Sequence, residues 1–154
     1  MLPEAKDCSV WLETTSLEHG HGGSDSWAFG QALWSPSRSR NGRDIYALMR
    51  RVKRGDLVLH LLKGAGGQLT GFSRVQGPHQ EIKDQPPSPG DWAGMAPYYR
   101  VPVEGFTSIE PPLSIRAVLR DHQPEFREVL KKGHLRLFYG PYKGELRLNQ
   151  GGST

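Results

Sequence analysis

The sequence predicts a small α+β domain, a mixed β-barrel or curved sheet of five to six strands flanked by helices. Three observations carry this reading. Short apolar or β-rich runs (CSVWLETTS, RGDLVLHLL, QLTGFSRVQ, YYRVPVEGF, HLRLFYG and a final ELRL) recur along the chain, separated by Gly-, Pro- and Ser-rich connections. The helical stretches between them are few and short. At 154 residues the chain suits one domain with a proper core, since domains run to roughly 100–150 residues, and no internal repeat is evident.

Taken in order, CSVWLETTS is a first strand and LEHGHGGSDS a loop, too rich in Gly and polar residues for anything else. Ser24 or Ser26 is placed to cap a short helix through WAFGQAL that ends near Trp34, with Pro36 as its break. Ser39 or Asn41 then caps a second helix, in which Ile45, Leu48, Met49 and Val52 follow the i, i+3, i+4, i+7 spacing of a buried stripe. The runs RGDLVLHLL and QLTGFSRVQ, joined by KGAGG, are expected to pair as an antiparallel hairpin. Residues 81–97 hold four prolines and two glycines in 17 residues, so they form a long loop, and Trp92 sits inside it. YYRVPVEGF is a strand that Pro102 confines to an edge or a bulge. SIRAVLRD and PEFREVLKK are two short helices, the second opened by Pro124, and HLRLFYG is a strand with a later ELRL. The domain is expected over residues 1–148, with 149–154 (NQGGST) as a linker.

The formal charge is +4, and its distribution says more than the total. Seven basic residues (Arg38, Arg40, Arg43, Arg50, Arg51, Lys53 and Arg54) face one acid, Asp44, between positions 38 and 54, which fits a polyanionic partner. Cys8 is the single cysteine, so there is no internal disulfide and no cysteine-based metal site, and a reducing cytoplasm fits. No apolar run approaches the roughly 20 residues of a membrane span, and MLPEAKDC lacks the pattern of a signal peptide, so no membrane partner is expected.

Catalytic signatures are sparse. His19 and His21 are the one close pair among six histidines, without the further ligands a metal site needs, and no phosphate-binding loop, nucleophile elbow or paired-histidine zinc motif occurs. No metal or cofactor is expected, and the domain reads as a binding module, not an enzyme. Its most distinctive residues are two tryptophans in polar surroundings, Trp34 beside the basic stretch and Trp92 in the Pro-rich loop. One such residue can simply cap a small core. Two of them near arginines fit a stacking site with phosphate contacts, base–aromatic stacking being worth roughly 1–3 kcal/mol per base.

The stretch ALWSPSRSRNGRDIYALMRR resembles the segment of YTH and EVE domains, of the PUA-like superfamily, in which a Trp followed by Ser or Cys precedes a polar loop and an amphipathic helix. The hairpin VKRGDLVLHLLKGAGGQLTGFSRV, with Gly71 early in its second strand, and the W-x-G context of Trp92 in PGDWAGMAPYYRVPVEGF are similar to the following parts of that family. The resemblance spans most of residues 8–140. It implies a PUA-like barrel and a reader that holds a flipped, modified base in an aromatic cage. Carried over, Trp34 and Trp92 would be the walls, and the Ser35 backbone carbonyl would accept from the exocyclic amino group. Arg38, Arg40, Arg43 and Arg54 are the candidates for the nucleic-acid backbone.

Where eukaryotic YTH domains carry a Lys-Ser-Asn-like turn, this chain has Glu13-Thr14-Thr15. A carboxylate accepts from the N4 amino group of cytosine and repels the acceptor nitrogens of adenine, so Glu13, with Thr14 beside it, would favour 5-methylcytosine or 5-hydroxymethylcytosine if it lines the pocket and does not face water. By family analogy the chain resembles the specificity domain of a prokaryotic, cytoplasmic modification-dependent restriction endonuclease, fused to a nuclease that follows it. The alternatives are a YTH-like reader of 6-methyladenine in RNA or DNA, and a small ASCH-like nucleoside hydrolase.

Overall fold

A computed structural model of the chain describes residues 8–16, 25–44, 46–64, 67–131, 138–142 and 145–148. Residues 17–24 with His19 and His21, Ile45, part of the KGAGG connection and the expected linker at 149–154 lie outside them. The strands are β1 (Val10–Thr15), β2 (Ala32–Pro36), β3 (Leu57–Leu62), β4 (Gln68–Val75), β5 (Gln80–Ile82), β6 (Tyr98–Ser114), β7 (Phe138–Tyr142) and β8 (Glu145–Leu148); the helices are α1 (Ile115–Asp121) and α2 (Gln123–Lys131).

The order β1-β3-β4-β6-β2, with β5 also on β6, makes a nearly closed, barrel-like mixed sheet, while β7 and β8 pair separately. This is the small α+β barrel that the strand pattern predicts. β1 runs parallel to β3, with Glu13 opposite His60, and the other ladders are antiparallel. β6 binds the arrangement together because its start, Tyr98 to Pro102, lies between β2 on one edge and β5 on the other, and its later part pairs with β4. Doubly flanked, Tyr98, Tyr99 and Val101 are buried. Leu33, Val52, Val58, Val75, Val101 and Val103 form the core, with Trp11 and Met49 packed against it.

The predicted hairpin is present, and Ser114 caps α1 by accepting from the Ala117 amide. Three predicted elements differ, the first being the long loop, whose opening residues Glu81 and Ile82 belong to β5 on the edge of β6. WAFGQAL is not a helix: a turn at Asp25–Gln31, with Gly30 at φ +81°, delivers the chain into β2, whose ladder to β6 supplies partners a one-turn helix lacks. The amphipathic helix shrinks to a 3-10 helix, Ala47–Arg51, whose N-cap Tyr46 makes no side-chain cap bond. Ser39, one of the expected caps, accepts from the Arg43 amide within the loop, and the Asp44 carboxylate that follows is engaged by Arg50 and Arg38. The apolar stripe still works, since Val52 joins the core and Met49 packs on it.

The ladder between β4 and β6 carries a bulge. Phe72 pairs with Thr107 and Arg74 with Glu104, so Gly105 and Phe106 both oppose Ser73. Gly105 has φ +66°, a left-handed conformation that opens such a bulge without steric cost. Across the ladder, a Cβ placed on Gly71 would come within 2.5 Å of the Phe106 ring and 2.7 Å of the Thr107 carbonyl oxygen. Gly71→Ala is therefore expected to cost about 1–3 kcal/mol in urea unfolding, and Phe106→Ala to restore only part of it, because the backbone contact persists.

Candidate functional site

β2 is buried along its whole length, and its alternation sends Leu33 into the core and Trp34 to the other face. Trp34 is 5% exposed. Its ring meets Trp27 edge-on at 6.1 Å and Tyr98 at 6.0 Å. It thus lies within a strand, one step before the basic loop, and not on the lip of that loop. Ser35 is 8% exposed, and its hydroxyl has no hydrogen-bond partner among the described residues.

Tyr98 connects this buried ring to the Pro-rich loop. Its hydroxyl donates to the Trp92 carbonyl (2.7 Å) and accepts from the Met95 amide (3.1 Å). Trp92, at the end of a short 3-10 turn, is half-buried and meets Tyr46 edge-on at 6.1 Å. Desolvation raises the Tyr46 hydroxyl above its ordinary pKa. Arg40 donates to the Asp91 carbonyl at 3.0 Å, tying the basic loop to the Trp92 loop. Two loops about 50 positions apart in sequence therefore lie side by side, with Trp34, Tyr98, Trp92 and Tyr46 in a chain of contacts and Arg38, Arg40 and Arg43 exposed on the same loop pair.

The basic run divides by role. Ser39 accepts from the Arg43 amide and shapes the loop. Arg50 is bound at both nitrogens by Asp44, donates to the Tyr99 hydroxyl (2.7 Å) and lies over the Tyr99 ring. The Arg50 bond, aided by the charges of Arg50 and Arg38, holds the Asp44 carboxyl below its usual range. Arg50 is thus a structural residue. Arg54 sits in a different turn, Lys53–Asp56, whose contacts run to Ser9, Trp11 and Arg74. Arg100 stood outside the sequence reading, as one cation within a strand. Paired across from Trp34, it lies over Trp27 at 5.5 Å and donates to the Ser26 carbonyl (2.6 Å) and to Gln80 (3.3 Å).

A second cluster lies inside the barrel. Glu13 points inward, its side chain 10% exposed, and Oε2 bonds the Nδ1 of fully buried His60. The Nε2 of His60 bonds the Ser73 hydroxyl at 2.7 Å, and Ser73 is also fully buried. Glu13 Oε1 has no partner among the described residues. Phe29 and Phe106 pack on the His60 ring at 5.2 and 5.5 Å and on each other at 5.6 Å. The carboxyl–imidazole–hydroxyl order is that of an acyl-transfer triad, but a wholly buried Ser73 hydroxyl is not presented to a substrate, and the chain acts here to hold Glu13. Thr14, the neighbour of Glu13, points to the opposite face of β1, as strand alternation requires.

Sequence reasoning singled out Glu13 but missed His60 and Ser73. The signal was present in the polar residues at alternate, inward positions of DLVLHLL and GFSRV. Only the register that sets Glu13 opposite His60 makes it a chain.

No protein family matches the sequence, and no curated protein does. Among solved structures, the chain is similar to Rpa0253 from Rhodopseudomonas palustris, an NMR structure from structural genomics, at 14% identity and a TM-score of 0.38, covering 77% of this chain and 68% of that one. Among the described residues no helix is long and apolar enough to cross a membrane, and no group of three or more His, Cys, Asp or Glu could hold a metal ion.

Proposed function

We propose that the domain is a binding module that reads a modified base in DNA, 5-methylcytosine or 5-hydroxymethylcytosine, and serves as the specificity part of a modification-dependent restriction endonuclease. The observation that supports this best is the meeting of the basic loop that follows Trp34 with the loop that bears Trp92, joined through Tyr98 and through the Arg40–Asp91 bond, beside three exposed arginines. Half-buried Trp92 is the wall a base meets first, with Tyr46 at its edge; Trp34, beneath Tyr98, is the deeper wall. A base that stacks on Trp34 must displace part of the Tyr98 contact, which the Trp92 loop holds by two hydrogen bonds. Loop movement and base entry are then coupled. Arg38, Arg40 and Arg43 grip phosphates, while Arg50 holds the loop in shape.

The test is fluorescence polarisation at about 100 mM salt with matched duplexes carrying cytosine, 5-methylcytosine, 5-hydroxymethylcytosine or 6-methyladenine, with methylated RNA as a further arm. Trp92→Ala is expected to weaken modified DNA by roughly 1–3 kcal/mol and to reduce the preference for it. Arg43→Ala is expected to weaken modified and unmodified DNA alike and to flatten the salt dependence by about one phosphate contact. Unchanged discrimination in Trp92→Ala removes the stacking wall, and a preference for 6-methyladenine replaces the cytosine assignment.

A further inference from the structure

We propose that the barrel interior around Glu13 is a recognition site for a planar nitrogen heterocycle bearing an exocyclic amino group, with Glu13 Oε1 as the acceptor and Phe29 and Phe106 as the rings it packs against. The proposal goes beyond the tryptophan site, because it requires neither Trp92 nor a nucleic-acid strand.

The carboxyl group of Glu13 is nine-tenths buried and unevenly satisfied. Oε2 is fixed by His60, itself fixed by Ser73, whereas buried Oε1 has no partner among the described residues. A buried acceptor left unmade is costly, and native structures keep few of them, so each calls for a partner or a role. His60 and Ser73 fix the direction of the carboxyl, so a single N–H donor is what remains to be met. A neutral N–H meets it without adding a charge to the interior.

The surroundings favour a flat partner. Two phenyl rings and the imidazole lie with centroids 5.2–5.6 Å apart. Phe106 is the member of this group that reaches the surface, since it packs on His60 and yet is 39% exposed. The bulge at Gly105 places it there, opposite Ser73, and Gly71 and Gly30 leave it room, as a Cβ on either would come within 3.2 Å of the ring. Bulges that re-aim a side chain are common beside binding and active sites. Phe106 takes no part in the hydrogen bonds that hold His60, so its ring can shift to admit a flat partner without breaking them.

The decisive experiment is an NMR chemical-shift titration of the full chain with two pairs of probes that differ by amino against carbonyl, cytidine against uridine and adenosine against inosine. Each base is offered as the free nucleoside and within a short single-stranded DNA. The amino member of at least one pair is expected to bind roughly 10- to 100-fold more tightly than its twin, the range for a hydrogen bond to a charged group, and Glu13→Gln to erase the difference. Preference in the free nucleosides identifies a small-molecule ligand; preference confined to the strands identifies a base within nucleic acid. Equal binding of both twins in both forms overturns the proposal, as does an unchanged preference in a folded Glu13→Gln. If Glu13→Gln does not fold, the wild-type twin comparison decides alone. Nucleoside preference without strand binding would remove the DNA-reader assignment and keep this site. Modified-DNA preference without any amino preference would do the reverse.

Discussion

Replacing Trp34 with alanine is expected to destabilise the fold by about 3–5 kcal/mol, the range for truncating a large buried aromatic residue. Trp34 is 5% exposed, sits in a strand buried from end to end, and loses two edge-on ring contacts, with Trp27 and with Tyr98. Trp92→Ala is expected to cost under about 1.5 kcal/mol, since Trp92 is half-buried and its backbone carbonyl, the group that Tyr98 binds, survives the substitution. Urea unfolding of the two variants side by side checks this contrast. Equal stability losses would mean that the two rings share one structural role. The same contrast makes Trp92, and not Trp34, the informative position for binding experiments, because loss of binding in Trp34→Ala would be indistinguishable from loss of the fold.

Asp56→Asn is expected to remove about 2–4 kcal/mol of stability. Asp56 is 1% exposed and gathers three donors: the Trp11 indole N–H at 2.7 Å and the Ser9 and Lys53 amides at 3.0 and 2.9 Å. An asparagine keeps one acceptor oxygen and turns an NH2 toward a donor that the second carboxylate oxygen had satisfied. Burial by itself raises the Asp56 carboxyl, but the bonds from Trp11, Lys53 and Ser9, with the Lys53 charge, outweigh it, and the net shift is downward. A carboxyl with a depressed folded-state pKa adds stability that is present above its unfolded value of about 3.9 and is lost as pH falls through the folded value. The wild type should therefore lose stability on acidification below about pH 4, and Asp56→Asn should show a shallower loss. Thermal melts of both proteins between pH 3 and 7 test this; parallel curves would assign the acid sensitivity to another group.

Asp56 also illustrates how legible the chain is. Its partner Trp11 lies 45 positions away, beyond any local window, whereas the hairpin, the loop at 81–97 apart from its first two residues, which join β5, and the two late helices were readable from turn residues and caps. Such features depend on neighbours a few residues away. The failures share a cause. WAFGQAL carries no proline, yet its first residues turn, with Gly30 at φ +81°, and only Ala32 and Leu33 enter a strand, because β6 offers a ladder of partners. Of the predicted stripe, Val52 joins the core and Met49 packs on it, but the helix was overstated: Ser39 bonds the Arg43 amide within the loop, and the 3-10 helix begins after Tyr46 with no side-chain cap.

The sequence by itself determined a small barrel-like α+β domain, a basic stretch next to Trp34 and a Pro-rich setting for Trp92, because composition and short-range periodicity carry these. Tertiary structure alone decided that Trp34 is buried while Trp92 is half-open, that Arg50 is structural while Arg43 is exposed, and that Glu13 meets His60 and Ser73 inside the barrel. Glu13 and Ser73 are 60 positions apart, and their meeting follows from the parallel register of β1 on β3 and the antiparallel register of β3 on β4. Strand register is fixed by which face of each strand finds the core, a property of the assembled sheet that no local window contains.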